Sequence, residues 1–288
     1  MLRRSLIVVV AGAAPAGQFP ITIPAANGPV TITKQPTRIV SLSPTLTEDL
    51  FAIGAGKQVI AVDDQSDYPK SAPRTKLSGF TPNAEAVAAY NPDLVLVSYP
   101  GAFVSQMERL GITVLLEPAV DTMAEAYEQI RQVGVATGHT QDATKVVRGM
   151  QRKLTKLIRS VPKTRRHLRV YHELTPDYYS ATSATFIGRV YSLFGLRNIA
   201  DEADKGGAFP QLSNEFVIAS DPDFIVLADT KCCGQSAATV RRRPGWSSMT
   251  AVRRGRVIAL NDDIPSRWGP RIVDFVRQVG RIVRAVRG

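Results

Sequence analysis

The 288-residue sequence has too few of several residue types to belong to the protein classes that depend on them. Two cysteines cannot staple a disulfide-rich scaffold, and three histidines leave little room for a multi-histidine metal centre. The apolar run near the N-terminus has nine residues, far short of the roughly 20 that span a bilayer. The hydrophobic content of 44% is ordinary, so the composition favours a globular protein of one large domain or two average ones.

The motifs of nucleotide-dependent enzymes are missing as well. The first strand–helix turn reads Ser43-Pro44-Thr45 without G-x-G-x-x-G, and Gly54-Ala-Gly56-Lys57 follows a helix and lacks the rest of a phosphate loop. No nucleophile–base pair is evident from spacing. These absences argue against an enzyme. A receptor for a divalent metal would need several His, Asp and Glu ligands, and the low number of histidines argues against this function.

The net charge of +11 comes from two segments of the chain. Residues 143–172 hold ten basic and no acidic side chains, and residues 241–288 hold twelve arginines and three aspartates. The blocks 1–142 and 173–240 are mildly acidic. A nucleic-acid-binding domain would spread its basic residues over the block that forms its groove, so we interpret both segments as solvated helix faces.

The first 17 residues have the parts of a secretory signal peptide. Arg3 and Arg4 precede a short apolar run at residues 6–14, and Ala14-Pro15-Ala16 fits a cleavage site. The arginine pair also fits a twin-arginine signal weakly. We therefore expect export to the periplasm or cell surface. Because no cysteine precedes Cys232, we expect no lipid anchor on an N-terminal cysteine.

Short apolar strands alternate with helices along most of the chain. Strands are predicted at residues 38–42, 59–62, 94–97, 114–116, 168–172 and 224–227, after a hairpin at residues 21–33 around Asn27-Gly28. This alternation predicts an α/β fold with parallel sheets, whose functional loops follow the carboxyl ends of the strands. Those loops begin at Ser43, Asp63 and Ser98. A helix at 141–161, about 30 Å long, has one apolar and one basic face.

An internal repeat gives the domain organisation. The pattern E-x-V-x-A-x-x-P-D followed by an apolar strand begins at Glu85 and again at Glu215, 130 residues later. It describes a helix that stops before a proline and leads into a buried strand. One copy lies in each acidic block, so we infer two similar lobes joined by the basic helix.

At this point the chain resembles the helix-linked (class III) substrate-binding proteins of ABC importers, which capture ferric siderophores, haem and cobalamin. The resemblance runs from Phe19 to Val286. Its motifs are individually weak, but their order and spacing are specific: they are P-x-R-I-V-S-L-S-P-x-x-T-E from Pro36, D-Y-P from Asp67, the two E…P-D motifs, G-L-x-N-I-A from Gly195, P-G-W from Pro244 and A-V-R-R-G-R-V from Ala251.

The resemblance implies two Rossmann-like α/β lobes joined by one long rigid helix, with the ligand in the cleft between them and no catalysis. We expect a leader at 1–17, an N-terminal lobe at 18–120, a helical region with the interlobe helix at 121–162, and a C-terminal lobe at 163–288. It also implies a monomer with no cofactor, and one glutamate per lobe that contacts the permease. Those glutamates map to Glu85 and Glu215; the alternative is that each is a solvated or helix-capping carboxylate.

Ligand-contact residues are expected on loops from both lobes. Aromatic side chains suit a large planar or macrocyclic ligand, and Arg267 would pair with a carboxylate or phenolate of a ferric chelate. Each residue taken singly also has a structural interpretation, such as a core position for His172. The set is Ser43, Thr45, Asp64, Gln65, Tyr68, Phe80, Tyr99, His172, Tyr178, Tyr179, Lys231, Cys232, Cys233, Arg267 and Trp268.

The adjacent cysteines and the ligand each leave alternatives open. Consecutive Cα atoms are about 3.8 Å apart, so Cys232 and Cys233 either form a vicinal disulfide or stay as two thiols. Among ligands, Arg267, Lys231 and the tyrosines favour a ferric siderophore. Cobalamin or haem is the alternative, haem being held by an axial Tyr or His.

Overall fold

Two four-stranded parallel sheets are built from the alternating strands and helices of the two halves of the chain. The computed structural model describes residues 19–161, 167–203 and 207–285. The leader expected at residues 1–17 lies outside the described residues. No helix in the described part of the chain has both the length and the apolar character needed to cross a membrane.

The N-terminal sheet has the strand order β4-β3-β5-β6. Its strands and flanking helices are β3 (Ile39–Leu42), α1 (Pro44–Ala52), β4 (Val59–Val62), α2 (Ala84–Ala88), β5 (Leu94–Val97), α3 (Ala102–Arg109), β6 (Val114–Leu116) and α4 (Met123–Thr137), after a hairpin of β1 (Ile21–Ala25) and β2 (Gly28–Ile32). The hairpin turn falls on Ala26 and Asn27, one residue earlier than predicted. Asn27 is held there because its side chain pairs with the backbone of Val114 and Leu116.

The C-terminal sheet has the order β10-β9-β7-β8. Helix α5 (Thr140–Arg159) leads into it, and its elements are β7 (Arg169–Glu173), α6 (Phe186–Ser192), β8 (Arg197–Asn198), α7 (Ala200–Ala203), α8 (Asn214–Ser220), β9 (Phe224–Leu227), α9 (Thr230–Cys233), α10 (Ala237–Arg241), α11 (Thr250–Arg253), β10 (Val257–Ala259) and α12 (Ile272–Ala285). Both sheets and the 20-residue helix α5 agree with the predicted α/β architecture.

Alternating strand residues face two different cores. In β9, Phe224 and Val226 face a core that is shared by both lobes, whereas Ile225 and Leu227 face a core of the C-terminal lobe alone. Strand β5 divides its side chains in the same way. Helices α4, α5 and α12 pack together within the shared core. The lobes are therefore joined by continuous apolar packing as well as by the covalent chain.

The internal repeat has the same structural role in each lobe. Asp93 accepts hydrogen bonds from the backbone amides of Thr37 and Arg38 at 2.8 and 3.0 Å, just before β3. Asp223 accepts from the Arg169 amide at 2.7 Å, where β7 begins. Each Pro-Asp pair thus anchors the start of a neighbouring strand, which explains why the spacing recurs.

Candidate ligand-binding cleft

The carboxyl ends of the N-terminal strands open onto a cavity of about 220 Å³. Ser43, Asp63 and Ser98 follow β3, β4 and β5 and line it, as expected for a parallel sheet. The segment before α12 closes its other side. The lining residues are Leu42, Ser43, Pro44, Thr45, Asp63, Gln65, Gly79, Phe80, Ser98, Tyr99, Asp263, Ser266, Arg267 and Trp268.

A second cavity of about 330 Å³ lies on the C-terminal side of the same segment. It shares Ser266 and Trp268 with the first cavity, so the Trp268 indole stands between them. Its lining is largely apolar and consists of Ala119, Val120, Asp121, Leu174, Thr185, Phe186, Ile187, Ala208, Phe209, Pro265, Ser266 and Trp268. Together the two cavities form a cleft with one wall from each lobe.

Trp268 is held by a chain of hydrogen bonds. Its Nε1–H donates to Gln129 Oε1 at 2.6 Å, and Gln129 Nε2 donates to the Pro118 carbonyl at 3.0 Å and to Glu117 Oε2 at 3.3 Å. Burial raises the pKa of Glu117 to about 7. The indole is thus fixed by α4 and the end of β6 before any ligand arrives.

The floor of the first cavity is a network of small polar groups. Ser98 Oγ donates to Ser43 Oγ at 2.8 Å, and Ser66 Oγ donates to Asp63 Oδ2 at 2.9 Å. Burial raises the pKa of Asp63 despite these hydrogen bonds. Gly79 passes so close that a Cβ there would lie 2.8 Å from the Leu42 carbonyl oxygen. Only glycine therefore fits beside Phe80 without a shift of the backbone.

Exposed aromatic rings form the mouth of the cleft. Phe80 is 67% exposed and Tyr99 56% exposed, with ring centroids 5.2 Å apart. Phe209 is 54% exposed and lies on the opposite wall. Large apolar side chains left exposed in a cleft are typical of a ligand-binding surface.

Arg267 lines the cavity but is already paired. Its guanidinium lies 2.8 Å from Glu48, 3.1 Å from Asp67 and 3.0 Å from Asp263, and the side chain is 6% exposed. Arg271 adds two hydrogen bonds to Glu48, at 2.8 and 2.6 Å. Because Glu48 and Asp67 belong to the N-terminal lobe, this cluster ties the lobes together. Arg267 therefore has an interlobe role, and its pairing with a ligand anion stays a prediction.

Lys231 extends this cluster towards solvent. Its Nζ lies 2.7 Å from Asp67 and 3.1 Å from Asp263, and its side chain is 52% exposed. Although partial burial opposes the shift, Lys231 and Arg267 lower the pKa of Asp67. Lys231 is therefore a bridge between lobes rather than a lining residue of either described cavity.

Two predicted N-terminal contacts lie away from both cavities. The Tyr68 ring lies under the Arg271 guanidinium in a separate groove beside α5, with the Arg271 Cζ atom 4.2 Å from the centroid of the ring. Asp64 is exposed and accepts a hydrogen bond from Gln65 Nε2 at 3.2 Å. Neither lines the cleft, whereas Ser43, Thr45 and Gln65 do.

His172 is a core histidine and not a cleft residue. It is fully buried in β7, with Nδ1 2.7 Å from the Tyr191 hydroxyl and its ring against Phe275. Burial lowers the pKa of His172 to about 3, so the imidazole stays neutral. His172 lines neither of the two cavities, and its contact with a ligand stays a prediction.

The two adjacent tyrosines also lie outside the described cavities. Tyr178 stacks on Trp246 with centroids 5.9 Å apart and sits under Arg243, so it belongs to the C-terminal core edge. Tyr179 is 41% exposed and pairs with Gln211 in a β-bridge. Neither tyrosine lines either of the two cavities.

Cys232 and Cys233 are joined in a vicinal disulfide at the end of α9. Both are exposed, and neither lines the two cavities. Asp262 anchors this turn because its carboxylate accepts the amides of Thr230, Lys231 and Cys232 at 2.8–3.1 Å. The disulfide therefore neighbours the interlobe bridge of Lys231.

Glu85 and Glu215 occupy equivalent positions on short helices. Asn83 caps α2 and Ser213 caps α8, and each glutamate is the second residue of its helix and is exposed. Hydrogen bonds from its own amide and from Ser213 lower the pKa of Glu215. Each lobe thus presents one exposed carboxylate in the same local setting.

The structure adds Asp63, Gly79, Ser98 and Phe209 to the cleft residues that the sequence predicts. Asp63 and Ser98 follow predicted strands, so the strand order predicts that their loops face the cleft, but not that their side chains line it. Gly79 and Phe209 lie in irregular segments, where no periodic pattern signals a wall of the cleft.

Comparison with known proteins decides the family. The family model described as "Periplasmic binding protein" matches residues 39–264. The chain belongs to the periplasmic binding protein family. Its members are solute-binding proteins and not enzymes.

Individual relatives agree over most of the chain. It is 33% identical to the uncharacterized ABC transporter substrate-binding lipoprotein YvrC of Bacillus subtilis, over 92% of this chain and 86% of that protein. It is 31% identical to a cobalamin-binding protein of Halobacterium salinarum, over 89% and 72%. The structure of the periplasmic vitamin B12 binding protein BtuF of Vibrio cholerae superposes with a TM-score of 0.70 at 25% identity, covering 86% of this chain and 97% of that one.

Proposed function

We propose that this protein is the exported solute-binding component of an ABC importer and that it captures a corrinoid in the cleft around Trp268. The observation that carries the ligand proposal is the wall chemistry. Exposed rings of Phe80, Tyr99 and Phe209 face the cleft, while Arg267, the cation among the described lining residues, is saturated by carboxylates. Aromatic rings bury wide area at low entropic cost, which suits a large macrocycle.

The charge of the ligand distinguishes the candidates. An anionic ferric siderophore gains affinity from unpaired Arg or Lys side chains, and the sequence favours it through Arg267, Lys231 and the tyrosines. Both cations are engaged between the lobes. A corrinoid has mostly neutral amide groups at its periphery and does not need those cations. The cobalamin-binding protein of Halobacterium salinarum and the vitamin B12 binding protein BtuF are relatives that agree with a corrinoid.

A ferric siderophore is the second candidate because of Tyr99. Its phenol is more than half exposed at the mouth, where it can reach a ferric chelate, and the same group offers haem an axial oxygen.

Titration of the purified protein with cyanocobalamin, haemin and ferric hydroxamate and catecholate siderophores tests the ligand. We expect cyanocobalamin to quench tryptophan fluorescence at one molecule per chain, and Trp268→Phe to remove much of the quenching, since Trp246 is fully buried. Tyr99→Ala should weaken binding about ten-fold through lost ring burial, and Tyr68→Ala, outside the cleft, should not. Quenching by siderophores alone would refute the corrinoid proposal.

Delivery to a permease is proposed to use Glu85 and Glu215. This proposal is supported by the equivalent positions of the two glutamates. In each lobe the glutamate is the second residue of a capped helix. Arginines on a partner would pair with such exposed carboxylates at both lobes at once, and a bivalent contact gains avidity without new chemistry. Export is proposed from the leader at residues 1–17.

A further inference from the structure

The positive charge that the cleft does not use lies on one face of α5. Arg148, Arg152, Lys153, Lys156 and Arg159 are all exposed, and we call these five residues the basic face. The opposite side of the helix is buried through Ala143, Val147, Met150 and Leu154. From Arg148 to Arg159, at 1.5 Å per residue, this face is about 17 Å long.

The basic face has no internal counter-charge. In the described part of the chain, none of its five residues forms an ion pair with a carboxylate. The single acidic residue of α5, Asp142, pairs with Lys145 at 2.9 Å, before the face begins. Like charges four residues apart, such as Arg148, Arg152 and Lys156, repel one another. A merely solvated helix face usually mixes both signs, so a one-sign face is suited to attracting an anionic partner.

Helix α12 widens the charged surface. It packs against α5, and Arg284 Nη1 donates to Ser160 Oγ at 2.6 Å, which brings Arg284 and the exposed Arg281 to the same side. A shallow groove of about 650 Å³ lies at this end of α5. Among its lining residues there are three cations and three neutral hydrogen-bonding side chains but no carboxylate: Gln151, Arg152, Thr155, Lys156, Arg159 and Ser160.

The shape of the surface limits the kind of partner. The apolar neighbours Leu157 and Ile158 are half-buried, so no large apolar side chain projects from the basic face for insertion. The attraction is therefore electrostatic. Because the basic face is elongated and shallow, it fits an extended anionic surface better than a small ligand. Basic side chains close to anionic lipid headgroups act additively, whereas the effect decays within a Debye length.

We propose that the basic face of α5 docks reversibly on the anionic phospholipid surface of the membrane that holds the permease. The inference rests on the proposed export and importer role, because an exported binding protein meets lipid and not nucleic acid. Docking keeps the loaded protein near the membrane. Each basic residue should raise membrane affinity roughly five-fold, so that reversing three should lower it by at least on the order of 100-fold.

Co-sedimentation with vesicles tests this. We expect binding to phosphatidylcholine vesicles that contain phosphatidylglycerol, no binding to pure phosphatidylcholine, and release at high salt. The variant Arg152→Glu/Lys156→Glu/Arg159→Glu should lose binding. The control Lys76→Glu/Arg109→Glu/Arg197→Glu makes the same charge change at scattered exposed residues, none of them paired with a described carboxylate, and should retain most of it.

Three results would overturn the proposal. These are failure of the wild type to bind phosphatidylglycerol vesicles, equal loss in both variants, and tighter binding to a short DNA duplex than to vesicles. Circular dichroism confirms folding, and cyanocobalamin quenching is measured on the same samples. Intact ligand binding without vesicle binding refutes only the membrane inference, whereas vesicle binding without any ligand response refutes only the proposed cargo.

Discussion

Replacing Glu48 with glutamine should destabilise the protein more than replacing Lys231 in the same interlobe cluster. Glu48 is 3% exposed on α1, and its carboxylate receives Arg267 at 2.8 Å and Arg271 at 2.8 and 2.6 Å. Both arginines come from the segment that leads into α12. Glutamine keeps the shape but removes the charge and turns an amide donor towards a guanidinium.

The magnitude follows from burial. Removing one partner of a buried ion pair costs about 3–5 kcal/mol, because the other charge stays buried without compensation. Arg267 keeps Asp67 and Asp263, so we expect the lower end, about 3 kcal/mol. Lys231 is 52% exposed, and an exposed pair contributes about 0.2–1 kcal/mol. Lys231→Met should therefore cost at most about 1 kcal/mol.

Urea unfolding of the wild type, Glu48→Gln and Lys231→Met measures both values. Circular dichroism and tryptophan fluorescence should give coincident transitions if the lobes unfold together. The reasoning fails if Glu48→Gln loses no more free energy of unfolding than Lys231→Met. It also fails if Glu48→Gln is stabilising, since that would mean that the carboxylate is not compensating the two arginines.

Three further predictions concern other parts of the molecule. Burial lowers the pKa of His172 to about 3 in the folded state, against 6.5 in the unfolded state, so below pH 6.5 only the unfolded state binds a proton there. Between pH 7 and pH 5 the wild type should therefore lose about 2 kcal/mol more stability than His172→Phe, as measured by parallel urea titrations. Glu85→Lys/Glu215→Lys should abolish cellular uptake but keep cyanocobalamin quenching; normal uptake would contradict the docking role. Intact mass should rise by two hydrogens on reduction of Cys232–Cys233, and an unchanged mass would mean two thiols.

The fold was predictable because its signals are local. Strands buried on both faces read as short apolar runs, and the E…P-D repeat reported two lobes because Asp93 and Asp223 each anchor a strand start. Strand ends also predicted which loops face the cleft, as Ser43 shows. These features depend on neighbours in sequence or on a fixed strand–loop order, which a single sequence contains.

The cleft chemistry was less predictable because it depends on partners far apart in the chain. Arg267 looked like a ligand contact, but it is neutralised by Glu48, 219 residues away. His172 lies one residue before the end of β7, yet its ring packs in the core against Phe275. Tyr68 lies in the loop after β4, but its ring stacks beneath Arg271 in the separate groove beside α5. For all three residues the residue type suggests a ligand contact, but the sequence does not predict which way the side chain points.

Continuous packing between the lobes restricts how the cleft can open. In a two-lobed protein joined by a flexible linker, closure costs little because few contacts change. Here α4, α5 and α12 share one core with both sheets, and Glu48 is clamped by two arginines from the other lobe. A large hinge motion would expose that core or break the buried ion cluster, each at a cost of several kcal/mol. Ligand entry is therefore better served by small movements of the exposed rings at the mouth of the cleft and of the Lys231 bridge between the lobes, which are weakly held.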